Sequence, residues 1–247
     1  KFVLHLSLQE KTKIDEQKIL KFQKKIIIMA FYILVIILTI SRWYLNYRRA
    51  QTEKFKPTQQ LKLISVLGSG GHTKEMLKLL PNLPNFTDPS KICPYFLLAD
   101  TDNHSEEKIQ KFYLENHTKN SGSESIDKPD VFKIPRSREV SQSYLSSIKT
   151  TIKALLNCKS LVFTINPDLI LVNGPGTCLP IVFLSILNAM LKSKKCHIVF
   201  VESFCRIKSL SLTGKIIYFL GLADDFYVQW PEIRDRYSGV TYVGRIL

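Results

Sequence analysis

The segment LKLISVLGSGGHT, residues 61–73, decides the fold because an apolar run of strand type leads directly into a glycine turn. The apolar residues among Leu61–Leu67 suit a buried strand. The turn Gly68–Gly71 allows backbone N–H groups to approach an anion closely. Thr73 is expected to cap a helix that begins near Lys74, and the positive end of that helix would point into the same space. The segment therefore predicts a phosphate-binding turn.

A second segment of the same design, DLILVNGPGTCLP, occupies residues 168–180. The strand-like run Leu169–Val172 leads into the polar glycine turn Asn173–Thr177 and then into apolar, helix-like sequence. Loops at the carboxyl ends of parallel strands converge on one crevice, so the two turns are expected to face one ligand. The first turn completes neither GxxxxGK[ST] nor GxGxxG, which disfavours nucleoside triphosphates and dinucleotides as that ligand.

Strand-like and helix-like segments alternate after residue 60, which is the pattern of an open parallel sheet. The predicted strands are Leu61–Leu67, Pro94–Leu98, Val131–Ile134, Leu169–Val172, His197–Val201 and Phe226–Gln229. The predicted helices are Lys74–Leu80, Glu106–Glu115, Ser143–Leu156 and Leu179–Leu191. The fold class is therefore α/β, with a single Rossmann-like domain at residues 61–247.

Composition narrows the partners of the chain. Its 247 residues carry a net charge of +14 that is spread along the sequence, which favours anionic membranes or phosphorylated ligands. Nucleic acid is disfavoured because no recognised binding motif and no aromatic platform accompany the basic residues. The five cysteines include no CxxC pair, so neither a disulfide framework nor a structural zinc site is expected.

An uninterrupted apolar run, Ile26–Ile40, is flanked by lysines before it and by arginines and aromatic residues after it. As a helix the run extends about 22 Å, short of the roughly 30 Å hydrocarbon core unless Trp43 and Tyr44 lengthen it at the interface. We expect a transmembrane anchor at residues 26–45 and a linker at residues 46–60. A cleaved signal peptide is disfavoured because no small-residue cleavage site follows, and an interfacial helix because the run has no polar face.

The orientation of this anchor depends on where synthesis starts. Residues 1–25 form an N-terminal extension, yet Met29 lies inside the apolar run. If synthesis begins at Met29, the positive-inside bias puts the chain from Leu61 onward in the cytosol. Residues 1–28 would then not belong to the native chain.

Side chains near the turns are candidates for chemistry. His72 would be presented by the first turn, where an imidazole can take a proton from a sugar hydroxyl or bond a phosphate; a helix-start hydrogen bond is the alternative. Glu75 is expected to complement the helix dipole rather than act as a base. Glu202 and Ser203 follow the strand His197–Val201 and are expected to point into the crevice, the carboxylate as a general base or as one half of a structural ion pair.

Two further polar clusters each have two interpretations. Arg136 and Arg138 are spaced to clamp a diphosphate, or they are simply solvated. Asp100–Asp102 superficially matches a metal-binding acidic triplet. Asn103 and Glu106, however, form a capping-box-like start to the next helix, which favours helix initiation.

The motifs VLGSGGHTKEM, IPRSREV, LVNGPGT, VES, SLTGKIIY and FYVQW, followed by the ending GRIL, resemble one protein family in this order. That family is the membrane-anchored subunit of the two-component UDP-N-acetylglucosamine transferase, which acts on dolichyl-diphosphate-linked N-acetylglucosamine (GlcNAc) at the endoplasmic reticulum. The resemblance covers about Leu61–Leu247 and implies the acceptor half of a split GT-B glycosyltransferase, whose two facing Rossmann-like domains belong to two chains. The length agrees, because the fewer than 200 residues after the linker make roughly one domain.

The resemblance also implies substrates and partners. UDP-GlcNAc would be the donor, held mainly by a soluble partner subunit, with no tightly bound cofactor and no metal, and this chain alone would be inactive. The acceptor 4-hydroxyl would attack the anomeric carbon with inversion, adding the second GlcNAc of the N-glycan precursor in a β1,4 link. That attack requires a base, for which His72 and then Glu202 are the candidates.

The same resemblance implies a single-pass protein of the endoplasmic reticulum membrane and leaves open an assembly with the GlcNAc-phosphotransferase that acts one step earlier. The candidate residues for binding the acceptor diphosphate and lining the cleft are Gly68, Ser69, Gly70, Gly71, Thr73, Arg136, Arg138, Asn173, Gly174, Gly176, Thr177 and Ser203. The candidate partner-docking tail is Val243, Gly244, Arg245, Ile246 and Leu247.

Two other functions stay open at this point. One is a non-catalytic membrane scaffold whose partner supplies every reacting group. The other is a subunit of a related polysaccharide transferase that acts on an undecaprenyl-type lipid with a different sugar.

Overall fold

The structure is a computed structural model that describes residues 60–68, 70–102, 104–117, 128–137 and 144–246, together with Ile26, Met29, Tyr32, Ile40, Ser41, Trp43 and Tyr44. The chain divides into two units, Lys1–Lys54 and Phe55–Leu247. The predicted extension, anchor and linker fall largely outside the described residues. Among those that are described, no helix combines the length and the apolar character needed to cross a membrane.

Seven strands of the second unit form one parallel sheet. They are β1 (Leu61–Leu67), β2 (Ile92–Ala99), β3 (Asp130–Ile134), β4 (Leu169–Val172), β5 (His197–Val201), β6 (Asp225–Val228) and β7 (Thr241–Tyr242). Their spatial order is β3-β2-β1-β4-β5-β6-β7. The order runs from β1 outward to β3 on one side and from β4 outward to β7 on the other, so the sheet has a switch point between β1 and β4.

Helices connect the strands. They are α1 (Gly71–Leu79), α2 (Ser105–His117), α3 (Tyr144–Ile165), α4 (Cys178–Leu191), α5 (Leu212–Phe219) and α6 (Pro231–Arg234), with one 3₁₀ turn at Leu80–Asn82. Helical crossovers are what parallel neighbours require, because a tight hairpin cannot join them. The α/β parallel architecture predicted from the sequence is confirmed.

The core lies around the central strand β1. Leu63, Ile64, Val66 and Leu67 are all 0% exposed, which explains why this strand reads as a nearly continuous apolar run instead of an alternating one. β4 beside it is buried in the same way at Ile170, Leu171 and Val172. The glycine turns therefore emerge from two deeply buried, adjacent strands of the sheet.

The predicted elements compare well with the observed ones. The bounds of β1, β4 and β5 are as predicted, whereas α3 continues to Ile165 because buried Cys158, Val162 and Ile165 extend its apolar face. The sequence analysis missed α5, α6 and β7. The last two contain only four and two residues, too few for hydrophobic periodicity to register.

Candidate functional site

The two glycine turns meet at the switch point of the sheet. β1 and β4 are neighbours, with Val66 opposite Val172, so the turns that follow them lie side by side at the carboxyl edge. A Cβ on Gly68 would lie 2.9 Å from Cβ of His72 and 3.0 Å from Cβ of Pro175. Only glycine fits there, because real Cβ atoms do not approach so closely. The convergence of the two turns predicted from the sequence is thus observed.

A pocket of about 150 Å³ lies where the turns meet. It is lined by Gly68, His72, Ala99, Arg136, Pro175, Gly176 and Thr177. Arg136, just beyond β3, brings a guanidinium, which is always charged and matches phosphate geometry. The Thr177 hydroxyl is buried and has no hydrogen-bond partner in the described part of the chain. Since buried polar atoms are normally paired, the pocket has the donors of an anion site with one of them unused.

Thr73 does not cap a helix, contrary to the prediction. Helix α1 begins two residues earlier, at Gly71, with Gly70 as the N-cap at φ 63°. The Thr73 hydroxyl instead donates to the carbonyl of Gly68 and lies 3.0 Å from Oγ of Ser105. The side chain is 0% exposed. Thr73 therefore braces the turn from inside the fold and does not face the pocket as a ligand.

A hydrogen-bonded row of side chains crosses from the first turn to the second. Nδ1 of His72 lies 2.7 Å from Oδ1 of Asn173, and Nδ2 of Asn173 donates to Oε2 of Glu75 at 2.8 Å. A carboxylate only accepts, so the Asn173 amide must turn its NH₂ towards Glu75 and its oxygen towards His72. The Nδ1 atom of His72 must then carry the proton. The neutral ring keeps its lone pair on Nε2, which has no hydrogen-bond partner among the described residues.

Glu75 has a different role from the one predicted. The side chain is buried, with 5% of the residue exposed, and accepts from the Ser203 hydroxyl at 2.9 Å as well as from Asn173. It is thus not a solvent-facing complement to the helix dipole. One turn of α1 separates it from His72, which puts both side chains on the side of the helix that meets the second turn. The three-residue spacing of His72 and Glu75 indicates that both lie on one side of a helix. The sequence does not indicate that Asn173 bridges them.

Glu202 lies elsewhere than the crevice position predicted for it. It is 0% exposed, and its carboxylate accepts from the Ser203 N–H at 3.0 Å and from the Ser211 N–H at 2.9 Å and hydroxyl at 3.1 Å. Ser211 in turn caps α5 by accepting from the Gly214 N–H. Burial raises the pKa of Glu202, against the lowering effect of the Ser211 and Ser203 hydrogen bonds. All of these contacts serve the 202–214 loop, so the position suits a structural carboxylate rather than a base.

Asp102 lies just before α2 and bonds to its first residue, which agrees with helix initiation at the acidic triplet, although the predicted capping pair was Asn103 and Glu106. Its carboxylate accepts from the N–H of Ser105 at 3.1 Å and from the Ser105 hydroxyl at 2.6 Å. Within the described residues, no group of three potential metal ligands comes together. The predictions for Asn103, Ser69, Arg138 and Leu247 fall on residues that the structure does not describe.

Gly174 and Gly176 shape the second turn. Gly174 has φ 67°, and a Cβ there would lie 2.9 Å from Cε1 of His72, so the imidazole packs on the bare backbone of the second turn. Gly176 and Thr177 line the pocket, and the carbonyl of Gly176 accepts from the N–H of Leu179 in α4. Gly71, by contrast, has open space around its Cβ position.

The predicted docking tail continues from β7 past the carboxyl end of β6. The N–H of Val243 donates to the carbonyl of Val228, and that of Ile246 donates to Oε1 of Gln229 at 3.2 Å. The Arg245 guanidinium lies 4.5 Å from the centroid of the Trp230 ring, within the range of a cation–π contact. Gln229 was predicted only as the last residue of a strand, and its side-chain role was missed.

The chain is similar in sequence to a family of known proteins. The family model described as "Oligosaccharide biosynthesis protein Alg14 like" matches residues 63–246. The UDP-N-acetylglucosamine transferase subunit ALG14 of Homo sapiens is 42% identical over 191 residues, covering 77% of this chain and 85% of that protein. The protein of the same name from Candida albicans is 36% identical over 195 residues, covering 79% and 82%.

Solved structures are more distant. MurG of Acinetobacter baumannii has a TM-score of 0.48 and 14% identity, over 75% of this chain and 45% of that one. A putative UDP-N-acetylglucosamine 2-epimerase from Listeria monocytogenes has a TM-score of 0.42 and 16% identity, over 71% and 41%. This chain therefore spans less than half the length of either protein.

Proposed function

The chain belongs to the Alg14-like family of oligosaccharide biosynthesis proteins, and on this premise we propose that it is the membrane-anchored, acceptor-binding subunit of a two-subunit UDP-N-acetylglucosamine transferase. The acceptor in this proposal is GlcNAc-diphosphate-dolichol. The product carries the second GlcNAc of the N-glycan precursor in a β1,4 link. A separate soluble subunit supplies most of the UDP-GlcNAc site.

The observation that carries the proposal is Nε2 of His72, which has no hydrogen-bond partner among the described residues and lies at the edge of an anion-type pocket. Arg136 and the Thr177 hydroxyl, which likewise has no partner in the described part of the chain, give that pocket a charge and a donor suited to a diphosphate. Asn173, backed by Glu75, holds His72 in the tautomer that can accept a proton. A diphosphate bound beside Gly68 would bring the attached sugar close to this imidazole.

The reaction then follows from these positions. Nε2 of His72 takes the proton of the acceptor 4-hydroxyl as its oxygen bonds to the anomeric carbon of UDP-GlcNAc, and the bond from that carbon to the UDP oxygen breaks. UDP leaves with the electron pair, and the configuration inverts. The imidazolium that forms still donates through Nδ1 to Asn173, whose amide is held in place by Glu75.

The proposal includes a single-pass anchor in the endoplasmic reticulum membrane, with residues from Leu61 onward in the cytosol. The apolar run Ile26–Ile40 with its cationic and aromatic flanks supports the anchor, and the net charge of +14 suits an anionic cytosolic leaflet. Anchoring is expected to keep the pocket near the lipid-linked acceptor.

Recruitment of the soluble subunit is proposed to use the tail Val243–Leu247. The described residues of the second unit form a parallel sheet, and in this proposal the soluble subunit supplies the facing domain that holds the donor. Val243 and Arg245 are exposed at the sheet edge, where a partner chain could reach them. On this account the chain has no transferase activity by itself.

An assay of GlcNAc transfer tests the proposal. The full chain in detergent is combined with the soluble donor-binding subunit, UDP-GlcNAc and a dolichyl-diphosphate-GlcNAc analogue. We expect a β1,4-linked disaccharide only when both chains are present. Turnover by this chain alone would contradict the proposal, and so would transfer only to an undecaprenyl-linked acceptor. Full turnover by a His72→Ala complex would instead leave the chain a scaffold.

A further inference from the structure

Gln229 joins two parts of the fold through opposite ends of one amide. It follows β6 and is only 2% exposed. Its Oε1 accepts from the N–H of Ile246 in the C-terminal tail at 3.2 Å, and its Nε2 donates to the backbone carbonyl of Glu202 at 3.1 Å. A side chain that is buried and satisfied at both ends has one orientation, because reversing the amide would break both bonds.

The carbonyl that Gln229 holds belongs to the peptide group joining Glu202 to Ser203. The N–H of the same peptide group donates to Oε1 of Glu202 at 3.0 Å. Both polar atoms of this unit are therefore fixed, one by Gln229 and the other by the Glu202 carboxylate. These bonds offset part of the cost of burying the Glu202 carboxylate, and they set the direction in which the Ser203 side chain leaves the backbone.

From Ser203 the run of bonds continues into the site. The Ser203 hydroxyl donates to Glu75, Glu75 accepts from Asn173, and Asn173 faces Nδ1 of His72. None of the residues between the tail and His72 is more than 5% exposed. Water cannot readily replace a lost hydrogen-bond partner at such depth. Loss of a bond at one end of the run therefore weakens the bonds along the rest of it.

We propose that Gln229 is a positioning residue that couples the seating of the C-terminal tail to the geometry of His72. The coupling deepens the proposed function, on which it rests for the roles of the tail and of the imidazole. With Val243–Ile246 seated on the sheet edge, as in this structure, Gln229 fixes the Glu202–Ser203 peptide group and thereby Glu75, Asn173 and the imidazole. A soluble subunit that holds the tail in this position therefore stabilises the geometry of the base.

Hydrogen–deuterium exchange of the full chain tests this coupling without requiring transferase activity. The variants are Gln229→Met, a deletion of residues 244–247, and the two combined. Tyr218→Phe is the matched control, since it removes a hydrogen bond to Ser238 at the same side of the sheet, outside the run. We expect Gln229→Met and the deletion each to speed exchange at residues 71–75 and 173–177 by about ten-fold, because local opening follows local stability.

The combined variant decides the matter. It should exchange no faster at those residues than either single change, because both remove the same link, and Tyr218→Phe should leave the rates unchanged. Unchanged exchange rates at the two turns in Gln229→Met would overturn the coupling. So would a combined variant in which the effects of the two changes on the exchange rates add. If Gln229→Met does not fold, Ser203→Ala interrupts the same run, and the tail deletion must then have no further effect on either turn.

A kinetic measurement separates the coupling from the proposed function. In the complete two-chain complex, Gln229→Met should lower kcat while the KM for UDP-GlcNAc stays unchanged, because the donor site itself is untouched. Inactivity of the wild-type complex would contradict the proposed function and leave the exchange result standing. A rise in KM alone would contradict the coupling.

Discussion

Nδ1 of His72 lies 2.7 Å from Oδ1 of Asn173, across the gap between the two glycine turns. The contact joins residues a hundred positions apart in the chain, and Glu75 behind Asn173 decides which of its atoms faces the ring. An amide thus holds the imidazole in one tautomer, with a carboxylate holding the amide.

Replacing Asn173 with alanine should separate orientation from folding. The variant loses the partner of His72 Nδ1 and leaves Glu75 short of one donor, so we expect kcat to fall by about 10²-fold or more and stability by about 1–3 kcal/mol. Steady-state kinetics of the two-chain complex and urea unfolding of the chain measure the two effects. Asn188→Ala is the control, because Asn188 is equally buried and bonded to Asn166. The Asn188→Ala variant should lose stability but keep its kcat. An equal loss of kcat in both variants would show that Asn173 does not orient His72.

Gly174 and Gly239 form a matched pair for testing the packing of the imidazole. Both have positive φ, 67° and 77°, but a Cβ on Gly174 would collide with His72 whereas one on Gly239 would meet nothing within 4 Å. Alanine at either position should cost about 1–2 kcal/mol from backbone strain. Only Gly174→Ala should also reduce transfer, by displacing the ring. Transfer that is equally intact in the two variants would show that the ring position does not matter.

Arg136→Ala should weaken binding of the diphosphate-linked acceptor. The guanidinium lines the pocket, so its loss should raise the acceptor KM by about ten-fold or more and flatten the dependence of that KM on salt. Lys133→Ala, in β3 three residues before Arg136, is the control, since Lys133 is exposed and paired with Glu106 outside the pocket. The measurement is acceptor titration at several ionic strengths. If the two substitutions raised the acceptor KM equally, Arg136 would contribute only through the net charge of the chain and not through contact with the diphosphate.

Glu202→Gln should change how stability depends on pH. Burial raises the pKa of Glu202 in the folded chain, so the folded state holds the proton more tightly than the unfolded state does. Its contribution is therefore fully present below the unfolded pKa and is lost as pH rises through the raised folded pKa. Urea unfolding between about pH 4 and about pH 8 should show wild type losing stability relative to Glu202→Gln. A difference that grows in favour of wild type with pH would reverse the assignment.

Most of the sheet could be predicted from the sequence because its central strands are short, nearly continuous apolar runs. β1, β4 and β5 are short apolar runs that end at glycine, asparagine or glutamate, and the alternation with helices implies parallel order. The position of His72 beside the second turn also followed, since adjacent strands bring their following loops together. What could be inferred was the set of residues at the carboxyl edge.

The partnerships within that set could not be inferred. Glu75 and Glu202 both lie in sequence that follows a predicted strand, and only the fold shows that Glu75 joins the site whereas Glu202 holds a loop. Thr73 likewise reads as a helix cap because it follows glycines, but the helix starts earlier and turns its hydroxyl inward. Side-chain direction depends on tertiary contacts between residues far apart in the chain. Local pattern does not record these contacts.

The most direct test of the account is the rate of GlcNAc transfer by a two-chain complex carrying His72→Gln, with both substrates saturating and equal partner co-purification. Glutamine keeps a polar amide at this position but has no basic nitrogen, so the variant removes the proton acceptor. The account predicts that turnover falls by about 10²- to 10⁴-fold, with acceptor binding retained. Turnover equal to that of the wild-type complex would contradict the assignment of His72 as the base.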